Sequence, residues 1–147
     1  METITSYMEQ DHDRIDGHAA RATAAAGAQD WSTLQDQGSE FLRRLQRHIE
    51  IEEDLLFPAF EQRTGMVAAG PSRQMRDEHE WMQPILVRMQ QALAANDGAE
   101  WQRATRSLLD ILEPHNVKEE QMMYPMLEDA AGADAQELLL QVRRRAL

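Results

Sequence analysis

Apolar residues recur every three or four positions along nearly the whole chain, and runs that alternate every second position are missing. That period belongs to helices with one buried face, and it leaves little room for strands. Ile4, Met8, His12, Ile15, Ala19 and Ala22 form one stripe, predicting a helix over about residues 3 to 27. Phe41, Leu45, His48, Glu52, Leu55 and Ala59 predict a second, over about 31 to 62. Met75, His79, Met82, Leu86, Met89 and Leu93 place a third over about 72 to 95. Trp101, Thr105, Leu108, Leu112, His115, Glu119, Met122 and Met126 place a fourth over about 99 to 129. A short fifth helix is predicted over about 134 to 146.

The breaks between stripes carry loop chemistry: "RTGMVAAGPS", "ANDGAE" and "AAGAD" are rich in Gly, Pro, Asn and Asp. Four long helices with short connections and a seven-residue apolar rhythm predict an all-α fold, an up-down-up-down antiparallel four-helix bundle with a short C-terminal fifth helix. Pro84 and Pro114 fall inside predicted helices, where each removes a hydrogen bond and introduces a kink. Pro58 and Pro125 are expected to help end theirs.

Composition narrows the classes. A chain of 147 residues is one domain's worth, and 42% hydrophobic with 28% charged residues is too apolar for disorder. No apolar run approaches the ~20 residues of a membrane span. "METITSYMEQDHD" lacks the basic-then-apolar pattern of an export signal, so a cytoplasmic protein without membrane contact is expected. The absence of cysteine excludes disulfides, thiolate metal sites, iron–sulfur clusters and a Cys nucleophile. A net charge of −11 argues against nucleic acid, whose phosphates demand basic surface. The cluster Arg143 to Arg145 closes the last helix, where cations complement the helix dipole.

The polar residues inside the stripes are the informative ones. His12, His48, Glu52, His79, His115 and Glu119 all occupy core-facing positions, and no Lys or Arg shares the stripes near them. They also repeat at one offset of 67 positions: 12 to 79, 48 to 115 and 52 to 119, with Phe57 matched to Tyr124 and Pro58 to Pro125. This predicts a single domain over 1–147 built from two helical hairpins, about 1–67 and 68–134, each delivering two His and one Glu to a shared interior. A lone buried His is more often a hydrogen-bonded core residue than a ligand. A buried carboxylate without a partner, however, costs several kcal/mol. A cation answers both carboxylates and all four imidazoles together.

Residues i and i+4 share a helix face, so His48 with Glu52 and His115 with Glu119 can each address one centre. Six ligands suit two metals. With both Glu bridging, each metal receives four protein bonds; an oxo or hydroxo bridge from solvent adds a fifth and leaves one octahedral position open. Imidazole and carboxylate without thiolate suit iron, with manganese or zinc as substitutes.

Through "QDHDRI", "HIEIEEDLLFP", "DEHEW" and "HNVKEEQMMYP" the chain resembles the hemerythrin-like, His-His-Glu cation-binding family over nearly its whole length. The resemblance implies a four-helix bundle enclosing a non-haem di-iron centre, two iron ions held by the six residues above. Ferritin-like di-iron bundles carry the reverse order, Glu-x-x-His. Oxygen-carrying hemerythrins use five His, with a paired His on the third helix. Here the neighbours of His79 at that spacing are Met75 and Gln83, neither a good iron ligand. The carriers' last motif also commonly places Asp, not Glu, one residue further on. Four His with two Glu is more similar to the di-iron proteins that repair iron centres under nitrosative stress, which usually carry a Cys-bearing N-terminal segment. These departures argue against efficient oxygen carriage and against the complete repair function.

Other residues carry less. His18 has Ile85 at the matching place and reads as surface or packing. Asp11, Asp13, Glu53, Glu78, Glu80 and Glu120 flank the six ligand positions; solvated helix faces account for most, with one or two orienting His rings. The methionines, Trp81 and Trp101 are expected in the core, with a gas-access route or a dimer contact as alternatives. The leading expectation is a di-iron protein that binds or reacts with a small ligand, O2 or NO, or peroxide, served by an electron-donor protein, as monomer or homodimer. Against it stand an iron storage, delivery or sensing module without turnover, and a structural bundle with incidental metal. A sensor would need a separate partner, because no kinase, DNA-binding or methyl-accepting segment is apparent.

Overall fold

The computed structural model describes residues 1–146, and among them every regular element is helical. Helix α1 spans Ile4–Gly27. Helix α2 runs through three consecutive segments: α-helical Trp31–Ile51, π-helical Glu52–Leu56 and α-helical Phe57–Thr64. Helix α3 spans Pro71–Ala94. Helix α4 has the same three-part build as α2: Gly98–Lys118, a π segment Glu119–Met123, then Tyr124–Ala131. A 3₁₀ turn, Gly132–Asp134, leads into α5, Ala135–Ala146.

The helix starts are set by side chains that satisfy free backbone N–H groups. Ser6 N–H donates to Thr3 Oγ1 at 3.0 Å while Thr3 N–H donates to Ser6 Oγ at 2.9 Å, a reciprocal cap for α1. Asp30 accepts from Thr33 N–H before α2, and Asp97 accepts from Glu100 N–H before α4. The two connections share a left-handed residue just ahead of the cap, Gln29 (φ 56°) and Asn96 (φ 50°). Caps and turns thus follow the same 67-position offset as the polar stripe residues (29 to 96, 30 to 97).

The π segments change the register. Phe57 N–H donates to the Glu52 carbonyl and Tyr124 N–H to the Glu119 carbonyl, five residues back rather than four. Each wide turn inserts one residue, so the buried stripe moves on by one position. Leu56 and Met123 fill the core where Leu55 and Met122 were expected; Leu55 is half-buried and Met122 exposed. Leu127 is buried in place of Met126. The register slip also corrects the expectation for the prolines. Pro58 and Pro125 end nothing: each stands in the first turn of the α segment after a π turn, where its missing N–H is not needed. Pro84 and Pro114 lie within helices, as expected, with exposed side chains.

Helix α1 packs chiefly on α2 and α3 on α4, while α1 also meets α4 and α2 meets α3. The apolar core falls into two blocks. One gathers Ile15, Leu45, Met82 and Leu112 with Phe41 and Trp101. The other gathers Met8, Leu56, Met75 and Met123 with Phe57 and Tyr124, and α5 adds Leu138, Leu139 and Val142 to it. Trp101 is fully buried, edge-on to Phe41 at 6.5 Å between ring centres. Room for it comes from Gly38, where a Cβ would lie 2.9 Å from Leu93 and 3.1 Å from Trp101. Trp81, expected in the core, instead faces solvent at 59% exposure. Among the described residues no helix is long and apolar enough to cross a membrane.

Every long helix passes through the boundary between the two blocks, and each places its polar stripe residues there. Helix α1 reaches His12 after Met8 and before Ile15; α2 reaches His48 and Glu52 between Leu45 and Leu56. Helix α3 sets His79 between Met75 and Met82, and α4 sets His115 and Glu119 between Leu112 and Met123. The polar layer therefore lies between two oily ones.

Candidate metal centre

All six sequence-predicted residues meet in that layer, and none exceeds 4% exposure. Their donor atoms form two adjoining groups. Glu52, His79, His115 and Glu119 each offer one atom within 4.8 Å of the others, and so do His12, His48 and Glu119. Glu119 belongs to both. Its Oε1 lies 3.1 Å from His12 Nε2 and its Oε2 lies 3.2 Å from His115 Nε2. Glu52 is placed likewise, with Oε1 3.1 Å from His79 Nε2 and Oε2 3.7 Å from His48 Nε2. Each carboxylate thus turns one oxygen toward each pair of histidines.

Every imidazole presents Nε2 inward because a carboxylate holds its Nδ1. His48 Nδ1 pairs with Asp11 at 2.7 Å and His115 Nδ1 with Glu78 at 2.9 Å. His12 Nδ1 pairs with Glu120 at 2.7 Å and His79 Nδ1 with Glu53 at 2.9 Å. Sequence reasoning expected one or two such residues and the structure has four, again related by the 67-position offset (11 to 78, 53 to 120). Asp13 and Glu80 stay exposed. Cations anchor some of these carboxylates from outside: Arg76 bonds Glu53 at 2.9 Å and Lys118 bonds Glu78. An Nδ1–H given to a carboxylate leaves a lone pair on Nε2, the form a metal requires.

Tyr124 was missed as a site residue and treated only as the aromatic partner of Phe57. Its buried hydroxyl points into the layer, 2.7 Å from Glu52 Oε2 and 2.9 Å from Glu119 Oε1. It also lies 3.3 Å from His48 Nε2 and 3.4 Å from His12 Nε2. Phe57, in the matching place, has no hydroxyl; its ring stacks on His79 at 5.7 Å, with the Arg76 guanidinium 5.4 Å from its ring centre. His18 pairs with Gln37 at 2.8 Å, outside the cluster.

A family model, the hemerythrin HHE cation binding domain, matches residues 3–127 and so covers all of these positions. The chain belongs to the hemerythrin HHE family. No curated protein and no solved structure gave a significant match to it.

The donor set of this hemerythrin domain fits the cation its family implies. Glu52 Oε1, His79 Nε2 and Glu119 Oε2 are buried without a well-formed hydrogen bond, although His79 Nε2 lies 3.1 Å from Glu52 Oε1 and His115 Nε2 lies 3.2 Å from Glu119 Oε2. Unpaired polar atoms are rare in protein interiors, and three converging in one cluster is the mark of a binding site. The electrostatics agree. Burial, with the Glu119 carboxylate alongside, pushes Glu52 up, whereas His115 and its neighbours outweigh burial at Glu119 and hold it well below the usual range. Burial would lower His79, but the Glu52 and Glu53 carboxylates beside it push it up to about 9. His48 is driven well above its ordinary value despite burial, by Glu52, Asp11 and Glu119. Protons and a cation compete for the same inward lone pairs.

Proposed function

We propose that this hemerythrin domain holds two iron ions side by side and uses them to bind or transform a small ligand, O2, NO or peroxide. His12 and His48 would hold one ion and His79 and His115 the other, with Glu52 and Glu119 each offering an oxygen to both. The observation that carries this reading is the division of each carboxylate's oxygens, one toward each histidine pair. Imidazole and carboxylate donors without sulfur favour iron among the common metals. A bound iron pair supplies electrons and exchangeable coordination positions to such a ligand.

The chain's own residues do the rest. Asp11, Glu53, Glu78 and Glu120 fix the four rings and raise their donor strength. The apolar blocks on either side exclude water, and with no donor residue more than 4% exposed only a small molecule fits the approach. Without a metal, the Tyr124 hydroxyl donates to Glu52 Oε2. The order in which successive helices traverse the blocks supports an up-down-up-down antiparallel bundle with α5 laid against its end. The shared offset supports one domain made of two hairpins.

The test is anaerobic reconstitution with ferrous iron, metal analysis, then optical spectra on adding O2, NO and peroxide separately. Two irons per chain and a spectral change with either gas are expected. Iron that binds without responding to any of the three ligands would favour storage or delivery instead.

A further inference from the structure

The two halves of the site carry the same kinds of donor at matched positions, with one addition. Where α2 carries Phe57, α4 carries Tyr124, and the hydroxyl is fully buried among four polar atoms at 2.7 to 3.4 Å. We propose that the Tyr124 phenol oxygen is itself a metal ligand, completing the donor set of the ion held by His12 and His48. This rests on the two-ion reading above and deepens it.

Three observations converge. The donor groups are unequal without Tyr124: four residues gather around His79 and His115, but three around His12 and His48. The phenol oxygen sits on the poorer side, within 3.4 Å of both histidine Nε2 atoms there. Its neighbours cannot all be satisfied by its single proton. Glu52 and Glu119 offer acceptors, and His12 and His48, with Nδ1 bonded to Glu120 and Asp11, each turn Nε2 inward. One O–H can serve only one of these atoms well, so the others must be met by further protons or by a cation. His12 Nε2 and His48 Nε2 are themselves only 3.1 Å apart. A cation bonded to the phenol oxygen and both nitrogens removes that conflict. Forming the metal–oxygen bond releases the phenol proton to solvent, as metal binding does at any protonated ligand. Phenolate is an established ligand for iron in proteins.

The π turn explains how α4 reaches this arrangement. Tyr124 follows Glu119 by five residues, which is one full turn only in π geometry. A plain α-helix would direct the ring away from the carboxylate it now bonds.

The test needs no turnover. Protein loaded with ferric iron is examined by metal analysis, visible absorption and resonance Raman excited in the visible band. Two irons per chain with a phenolate-to-iron charge-transfer band and enhanced tyrosine ring modes are expected. The chain has two tyrosines, so assignment is direct: Tyr7→Phe keeps the band and Tyr124→Phe abolishes it, with Phe57 showing that phenylalanine fits the matching place. Two irons without the band in the unaltered protein overturn the inference and leave the two-ion reading intact. Failure to bind iron removes both. A band that survives Tyr124→Phe, or disappears with Tyr7→Phe, overturns the inference as well.

Discussion

Asp11 Oδ2 lies 2.7 Å from His48 Nδ1, so a half-buried residue of α1 fixes the tautomer of an imidazole buried on α2. His48 cannot rotate without breaking that bond, and its Nε2 stays aimed at the carboxylates. Glu78 does the same for His115 across α3 and α4. Ring orientation is thus built into contacts between helices, and the site forms only when the helices pack.

Removing that support loosens the metal without removing a ligand. Asp11→Ala is expected to weaken metal affinity about 10- to 100-fold, the usual cost of losing a carboxylate behind a ligating histidine. Competition with a chromogenic chelator measures it. Asp13→Ala, two positions on and exposed, is the control and leaves affinity unchanged. Equal effects from the two variants would show that general negative charge, not the hydrogen bond, matters.

Glu119 faces both histidine pairs, with Oε1 at 3.1 Å from His12 and Oε2 at 3.2 Å from His115. Glu119→Ala should therefore disturb both ions, and His48→Ala with His115→Ala should lose both. Mössbauer spectra of iron-loaded Glu119→Ala check the first. One iron unchanged and still magnetically coupled would sink the idea that this carboxylate spans the pair.

The π turns give a stability prediction free of metal chemistry. Leu56 is fully buried and Leu55 is not, so Leu56→Ala should cost about 2–5 kcal/mol and Leu55→Ala under about 1 kcal/mol. Urea unfolding of the metal-free protein decides it. The reverse order would restore the plain α-helical register.

That register marks where the sequence stops being informative. The 3.6-residue period and the matched His and Glu positions were legible because each rests on residue type at fixed spacing. A π turn alters spacing without altering any residue type, so nothing in "HIEIEEDLLFP" announces that Leu56 replaces Leu55 in the core. Tyr124 was hidden by the same cause, since its place beside Glu119 depends on a five-residue turn. The four ring-orienting carboxylates stood among the six flanking acids, with one or two expected to orient rings, but could not be told from the other two. An acid beside a ligand position looks the same whether it points to solvent or across to a neighbouring helix, and helix packing decides which.

Metal-free and loaded protein should respond oppositely to pH. His79 titrates near 6.5 in an unfolded chain and is pushed up to about 9 when folded. Its charged form therefore stabilises the metal-free fold fully below pH 6.5, and that contribution is lost as pH climbs through 9. A bound cation needs the neutral ring, so its affinity rises over the same range. The increase in Tm on adding zinc, which avoids redox side reactions, is expected to grow between pH 6.5 and 9. Scanning calorimetry of both forms tests this; an increase independent of pH would take His79 out of the ligand set.

The last prediction concerns what the centre does with oxygen. A reversible carrier benefits from one ion closed to the ligand, so that binding happens at the other and electrons return when the ligand leaves. A fifth histidine beside His79 could close one ion, but its neighbours at that spacing offer none: Met75 is buried in an apolar block and Gln83 points to solvent. Each histidine pair is left with two imidazoles and one oxygen of each carboxylate. The ion near Phe57 would then have no further protein donor within reach. An open position of that kind favours net oxidation over reversible holding. Reduced, iron-loaded protein mixed with oxygenated buffer in a stopped-flow instrument should show a single-turnover change that removing O2 does not reverse. A spectrum that returns on deoxygenation, cycle after cycle, would instead establish a carrier and show that the missing fifth histidine does not govern the outcome.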